Sequence, residues 1–548
     1  MPFPKSEDGH RLDLYLMKPS NSVRICVPVC EQSLGAAERA IARAAEIGDL
    51  IEVRLDCLDP FQIGESFKNG EHLIDQSTRP TILTFRPTEQ GGHRKLDTKS
   101  RLSFWLFDRP TSAEFLDIEL DIAINASVFD YGKKVDWTRV ICSHHDFVGV
   151  PGDLDRIFDR MIQTPARILK IAFQADDITG CIAAFHLLDR ARSKNREMIA
   201  IAMGTAGLAT RVLGPSRGAF LTYGALENES ATAPGQITAR ELRTLYRIDG
   251  INRQTRIMGL AGLPVTHSIS PYIHNAAFES AQFDGVYLPF EVREISSFIK
   301  RMVHPRTREI DWNLLGLSVT APHKASVMSC LDWIDPAAKE IGAVNTIVVQ
   351  SDKLHGFNSD ADAFLSPIIP RISDLREACC AVIGAGGAAS AAVWSLRQKG
   401  AEVTIFARDV RKARPLAERF GATAKPLGSA LFERFDIVIN ATPLGTSGRQ
   451  ETETPATAAQ LRGARLAYDL VYNPAETRFL REAREAGCEL ISGLEMLVTQ
   501  AGEQFRLWTG AVAPAEVMRD AAMGALSDLR SQTEISETSQ ISDRDLSW

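Results

Sequence analysis

Between residues 24 and 226 the chain repeats one unit eight times: a short apolar run of strand length, then a segment long enough for a helix. The runs are Arg24–Cys30, Asp49–Asp56, Pro80–Pro87, Phe115–Asp121, Thr138–Asp146, Arg167–Phe173, Glu197–Gly204 and Gly218–Leu226. Each intervening helix carries the chain back to the same edge, so the strands run parallel, and eight such units in about 200 residues predict a closed (β/α)8 barrel. An open doubly wound sheet is the alternative.

A barrel of this kind keeps its chemistry at the C-terminal ends of the strands. Polar side chains fall there: Glu52 and Arg54 on one face of the second strand, Arg86 ending the third, and His144, His145 and Asp146 ending the fifth. Arg211 follows the seventh strand, and Thr232 to Gln236 follow the eighth. Lys170 stands inside the apolar run Arg167–Phe173, where a lysine needs a reason. On an edge strand it would reach for water; inside a barrel it becomes a desolvated amine, able to attack a carbonyl carbon. Burial and neighbouring arginines would both push such an amine toward its neutral form. A histidine at the next strand's end can move protons near neutral pH, and arginines suit an anionic, oxygen-rich substrate.

At 548 residues the chain exceeds one ordinary core, so two or three domains are expected. A net charge of -7 argues against nucleic acid or an anionic membrane as partner. No long uncharged apolar stretch occurs, and the first twenty residues lack a signal-peptide core, so cytoplasmic residence is expected. The nine cysteines are odd in number and scattered without a C-x-x-C pair, which predicts reduced thiols and no metal site.

The second half carries different signals. A short polar link at 250–256 predicts domains in contact. Ser270-Pro271 reads as a helix start, with Ser268 and Ser270 offering hydroxyls for a carboxylate. Lys324, after Ser318-Val-Thr320, and Asp360, after Gly356-Phe-Asn, form an acid–base pair if the fold joins them. Cys379–Ile383 followed by Gly384-Ala385-Gly386-Gly387-Ala388-Ala389 is a strand, a glycine turn and an Ala-rich helix, the setting of a dinucleotide fingerprint with Ala389 in the third glycine's place. The next strand ends in Ala407-Arg408-Asp409, with Lys412 close behind. Arginine there accommodates the 2′-phosphate of NADP and an acid the 2′-hydroxyl of NAD; the weight of positive charge favours NADP. Asp436–Asn440 reads as a further buried strand, leading to Thr442 along the cofactor.

The first half resembles type I 3-dehydroquinate dehydratase through E-x-R-x-D (Glu52 to Asp56), T-F-R (Arg86), S-H-H-D-F (His145), the Lys170 strand, M-G-x-x-G-x-x-x-R (Met203 to Arg211) and A-P-G-Q (Gln236). The resemblance implies a Schiff base on Lys170, proton transfer by His145, carboxylate binding by Arg211 and Gln236 with Thr232 at a position usually serine, and ring hydroxyls met by Glu52, Arg54 and Arg86. Gln90 stands where the family commonly has a glutamate orienting the histidine, with Glu89 the nearest acid.

Residues 255 to 526 resemble shikimate dehydrogenase, which implies NADP-dependent reduction of 3-dehydroshikimate. Lys324 and Asp360 match its catalytic pair, Ser268, Ser270 and Tyr472 its carboxylate contacts, and Thr320, Asn345 and Gln500 its hydroxyl contacts. Gly384 to Ala388, Arg408, Asp409, Lys412, Asn440, Thr442 and Gly493 match its cofactor-binding positions. Together the two resemblances imply a barrel over 1–250 and a substrate lobe over 255–362 completed by helices at 493–526. An NADP lobe over 363–492 follows, and a polar tail at 527–548 is expected to be disordered. Oxidation of quinate with NAD by the second half, or a first half that binds without catalysis, are the alternatives.

Overall fold

A computed structural model of the chain describes residues 23–545 apart from 60–62, 106–110, 129–134, 267, 429 and 449. The N-terminal segment on which the targeting expectation rests lies outside the described residues.

Three sheets organise the chain. The first takes β1 (Ile25–Val29), β2 (Leu50–Arg54), β3 (Thr81–Thr84), β4 (Phe115–Glu119), β5 (Val140–Asp146), β6 (Ile168–Gln174), β7 (Glu197–Met203) and β8 (Thr222–Tyr223), all parallel, in the order 7-6-5-4-3-2-1-8. The eighth strand is far shorter than its apolar run predicted. Gly218 turns at φ 99°, and the seam to β7 is closed by the Phe220 N–H on the Met198 carbonyl at 2.8 Å and a bridge between Met198 and Ala219.

Alternation along each strand builds two apolar layers. Ile168, Ala172, Ile141, Ile199, Ile201 and Tyr223 fill the barrel interior, while Leu169, Ile171 and Phe173 face the outer helices. The first helix, Leu34–Ile47, shows how the outer ring is fixed. Ser33 caps it by accepting the Ala36 N–H, and Ala37, Ala40, Ile41 and Ala44 form its single buried stripe.

The second sheet is mixed: β9 (Arg256–Gly262), β10 (Gly285–Glu291), β11 (Leu314–Val319), β12 (Trp333–Ile334), β13 (Thr346–Gln350) and β14 (Lys353–Phe357), in the order 10-9-11-13-14-12 with β13 antiparallel to β11 and β14. The third comprises β15 (Cys379–Ile383), β16 (Glu402–Ala407), β17 (Thr423–Pro426), β18 (Ile437–Asn440), β19 (Leu466–Asp469) and β20 (Glu489–Ile491), in the order 17-16-15-18-19-20. Strand order reverses between β15 and β18, where a doubly wound sheet opens a crevice for a nucleotide. Helix Gly493–Thr509 then returns to the second sheet, with Trp508 donating to the Ile347 carbonyl at 3.0 Å.

The barrel and the second sheet share one continuous apolar cluster, running from Ile25 through Leu242 and Ile257 to Leu354. The Arg217 guanidinium meets the Asp311 carbonyl at 3.0 Å, and the Arg247 guanidinium meets the Gly285 carbonyl at 3.0 Å. The short link therefore joins units in contact.

Two expectations are corrected. Cys30 and Cys57 are joined as a disulfide, because adjacent parallel strands β1 and β2 deliver them to the same end of the barrel with Cα atoms 5.4 Å apart. Linear spacing gives no hint of that neighbourhood. The polar tail is helical as far as Asp545: one helix runs from Ala515 to Asp545, since low apolar content argues against a core, not against a helix continued from the Ala-rich stretch before Ser527. Among the described residues no helix is long and apolar enough to cross a membrane.

Candidate active sites

One cavity at the C-terminal mouth of the barrel is lined by Glu52, Arg54, Arg86, His145, Lys170, Arg211, Thr232 and Gln236, together with Gln90, Phe147, Met203 and Tyr223. Strands β2, β3, β5 and β6 end here, which is why alternation aims Glu52 with Arg54, and Lys170 with Ala172, at the same space.

Lys170 is 3% exposed. It donates to Asp117 Oδ2 and to the Tyr223 hydroxyl, each at 2.8 Å, and lies 3.6 Å from Glu52 Oε1. Carboxylates, not the arginines expected from sequence, are its nearest charged partners. Asp117 lies in the middle of β4, fully buried; burial would raise its pKa, but Arg86 at 2.7 Å and Lys170 outweigh that and hold it ionised. Glu119, two residues on, meets Arg101 at 3.4 Å and Arg86 at 4.0 Å, yet burial pushes it up to about 7.

His145 accepts from Arg86 at 3.0 Å through Nε2. Arginine has no acceptor, so Nε2 carries the lone pair and the ring is neutral with its proton on Nδ1. Burial, Arg86 and Lys170 all lower its pKa well below the ordinary value. Gln90 makes no hydrogen bond to either ring nitrogen. Its side-chain oxygen accepts the His145 backbone N–H at 2.7 Å, and Glu89 is exposed on the surface.

Arg54 is locked on Asp56 by two hydrogen bonds of 2.9 and 2.7 Å. Arg211 is the opposite case: it is 1% exposed, its guanidinium reaches only the Pro234 carbonyl at 3.4 Å, and among the described residues no carboxylate pairs with it. Burial lowers it to about 10. A buried cation without a counter-ion among the described residues, opening on a cavity, suits an anionic ligand. Gln236 folds back to accept the Thr232 N–H at 2.9 Å.

A second cluster lies between the second and third sheets. Lys324 Nζ donates to Asp360 Oδ2 at 2.6 Å, and Asn345 Nδ2 donates to Asp360 Oδ1 at 2.8 Å and to Gln500 Oε1 at 3.4 Å. Ser268 and Ser270 share a 3.1 Å hydroxyl contact, and the Ser268 hydroxyl also accepts the Ser270 N–H, so Ser270 is the first helical residue instead of the cap. Thr320 follows β11 directly, and Tyr472 packs on the apolar cluster that holds Leu497 and Val498, its hydroxyl titration raised by burial.

The glycine turn leaves β15 beside this cluster. Gly384 has φ 122°, and a Cβ on it would lie 2.8 Å from the Ala441 carbonyl. Gly386 faces open space, and a Cβ on Gly387 would lie 4.0 Å from Lys324 Cδ. A backbone cradle without side chains, opening a helix beside Lys324, would fit a pyrophosphate. Arg408 is exposed at the end of β16. Asp409 is occupied: it caps the helix Val410–Phe420 and holds the Arg411 guanidinium at 2.9 and 3.0 Å. Lys412 is exposed, whereas Asn440 is buried, holding Asp469, the Leu444 carbonyl and Thr442 in a loop-shaping network. Gly493 begins its helix where a Cβ would strike the Val471 carbonyl at 2.6 Å.

Residues 25–253 match the type I 3-dehydroquinase family, 260–347 the shikimate dehydrogenase substrate binding domain, 369–466 shikimate / quinate 5-dehydrogenase, and 493–523 the shikimate 5'-dehydrogenase C-terminal domain. The bifunctional 3-dehydroquinate dehydratase/shikimate dehydrogenase of Arabidopsis thaliana, a chloroplastic protein, is 36% identical over 91% of this chain and 84% of its own length. The chain belongs to this bifunctional family. The NADP(+) shikimate dehydrogenase of Methanopyrus kandleri is 38% identical over 50% of this chain and 97% of its own. A Thermus thermophilus shikimate 5-dehydrogenase solved with NADP(H) and shikimate is 36% identical, covers 49% of this chain and 99% of its own, and has a TM-score of 0.44.

In this bifunctional framework, sequence reasoning missed Asp117, Glu119 and Tyr223 in the dehydratase half. The signal was there: Phe115-Leu-Asp117-Ile-Glu119 sets acids at alternate positions of a buried strand, the same anomaly that singled out Lys170. In the dehydrogenase half it missed Gln504, which donates to the Asn345 carbonyl and Thr346 and accepts from Ser318, and which has no motif to betray it.

Proposed function

We propose that the chain dehydrates 3-dehydroquinate at the barrel mouth and reduces the product, 3-dehydroshikimate, to shikimate with NADPH. The observation that carries this reading is the Lys170 amine, buried with Asp117 and Tyr223 in the cavity that also holds a neutral His145 and an unpaired Arg211.

In the first reaction Lys170 Nζ, in its unprotonated form, adds to the ketone carbon, and loss of water gives a protonated imine. The imine cation withdraws electrons from the adjacent carbon, whose proton passes to the His145 imidazole. The ring returns that proton to the departing hydroxyl, and water then cleaves the imine to release product and Lys170. Arg211, with Gln236 and Thr232, takes the substrate carboxylate. Glu52, Arg54 and Arg86 meet the ring hydroxyls.

In the second reaction Lys324 delivers a proton to the carbonyl oxygen as it becomes a hydroxyl, and Asp360 holds the ammonium in place. Ser268, Ser270 and Tyr472 take the carboxylate, with Thr320, Asn345 and Gln500 on the hydroxyls. NADPH, when bound, supplies the hydride. Gly384 to Ala388, Asn440, Thr442 and Gly493 would shape its seat. Arg408 and Lys412 offer the 2′-phosphate positive charge, and the engagement of Asp409 with Arg411 favours this cofactor over NAD.

The division into a barrel over 1–250, a substrate lobe over 255–362 with 493–526, and a nucleotide lobe over 363–492 belongs to the same reading. So does residence in the cytoplasm, which fractionation of the native host tests. The chemistry is tested by borohydride reduction in the presence of dehydroquinate, with mass mapping. An adduct on Lys170 is expected, and its absence from an active enzyme would overturn the imine. Coupled assay with NADPH and NADH tests the second half.

A further inference from the structure

The end of β10 belongs to the dehydrogenase half, yet its last residue and the two that follow are held by both halves. The Thr205 hydroxyl donates to Glu291 Oε2 at 2.5 Å. The Arg293 backbone N–H donates to Asp177 Oδ2 at 2.7 Å, and its Nε to the Asp176 carbonyl at 2.7 Å. On the other side the Val292 carbonyl is bonded to His323 Nε2 at 2.7 Å, and His323 immediately precedes Lys324.

Thr205 is no remote residue of the barrel. It opens the turn Thr205–Gly207 that leads directly into the short helix Leu208–Leu213 carrying Arg211. Gly204, just before it, donates to the Pro234 carbonyl at 2.9 Å, the same oxygen that the Arg211 guanidinium reaches. Gly204 packs so closely on the next loop that a Cβ on Gly235 would lie 2.1 Å from its carbonyl oxygen. The loops after β7 and β8 are thus zipped together, and the dehydrogenase half grips the zipped pair through Thr205. Asp177 sits in the loop after β6, the Lys170 strand, where it also caps the turn Ile178–Gly180.

We propose that Glu291 is a positioning residue for the dehydratase reaction, supplied by the dehydrogenase half: through Thr205 it fixes the loop pair that aims Arg211 and Gln236 at the substrate carboxylate. The inference rests on the assignment of Arg211 to that carboxylate. An unpaired buried guanidinium has no counter-ion of its own to fix its direction, so its aim depends on the backbone that carries it. Holding that backbone from outside the barrel makes the substrate seat of one half a property of both.

The test uses the full-length chain and steady-state kinetics of both reactions. Glu291→Ala and Thr205→Val each remove the contact, and each is expected to raise KM for dehydroquinate about fivefold with a smaller change in kcat, the size expected for one lost hydrogen bond. Glu291→Gln and Thr205→Ser keep an acceptor and a donor and are expected to restore KM to within about twofold of the parent. The double variant Glu291→Ala with Thr205→Val should be no worse than either single one, as for two partners of one contact. Equal KM in Glu291→Ala and the parent overturns the inference. So does an equal loss in Glu291→Gln and Glu291→Ala, which would mark a general structural effect. Failure of the parent chain to dehydrate dehydroquinate would instead overturn the functional reading itself, so the two failures are distinct.

Discussion

Gln90 Oε1 accepts the backbone N–H of His145, and the imidazole Nδ1 of that histidine has no hydrogen-bond partner among the described residues. The side chain standing where a carboxylate is expected to orient the ring therefore fixes the strand end instead. The ring is oriented from its other nitrogen, by Arg86. With burial, Arg86 and Lys170 all opposing protonation, His145 stays neutral across physiological pH and is ready to accept a proton.

It follows that the acid limb of the dehydratase pH profile lies below pH 6.5, the ordinary histidine range. Gln90→Glu keeps an acceptor for the backbone N–H and adds negative charge near the ring, so the limb should move upward. Gln90→Ala leaves the N–H unmatched and should cost about 1–3 kcal/mol in stability. Rate–pH curves and thermal melts of the three proteins check both statements; a limb that stays put in Gln90→Glu would contradict the first.

Lys170→Ala removes the amine from Asp117, leaving a buried carboxylate short of one partner. Dehydratase activity should vanish while shikimate oxidation persists, and stability should fall by about 3 kcal/mol. Adding Asp117→Asn should recover part of that stability but no activity. Denaturant melts beside assays of both reactions separate the chemical loss from the electrostatic one.

Lys324→Ala should lower turnover of the dehydrogenase by about a hundredfold or more, since the proton donor is gone. Binding of NADPH, measured by fluorescence titration, should change little, because the glycine turn does not need the amine. An equal loss of cofactor affinity and rate would place Lys324 in binding instead of proton transfer.

Arg408→Ala should cut the preference for NADPH over NADH by about tenfold, mostly through KM, since one charge–phosphate contact is removed. Asp409→Ala should not confer use of NADH, because the carboxylate is already taken by Arg411 and its own helix. Paired kinetics with both nucleotides decide this.

Glu119 titrates at about 7 in the folded chain against 4.5 ordinarily, burial being the cause. A raised acid binds its proton more tightly when folded, so its contribution to stability is complete below about pH 4.5 and is lost as pH rises through about 7. Glu119→Gln should flatten that decline. Equilibrium unfolding from pH 5 to 8 reads the difference.

Legible in the chain alone were the parallel eight-strand barrel, the glycine turn and the residues gathered at the barrel mouth. These depend on local rules: period-two alternation, the steric demand of a backbone approaching phosphate, and the rarity of a buried lysine. Tertiary structure decided the rest. It set Asp117 and Tyr223, not arginines, against Lys170, because the contents of a barrel come from strands far apart in sequence. It paired Cys30 with Cys57 across two strands, turned Gln90 from the imidazole to the backbone, and carried Glu291 of one half onto Thr205 of the other. Spacing along a chain fixes which face a side chain points to; only closure of the sheet and docking of the halves fix what it meets there.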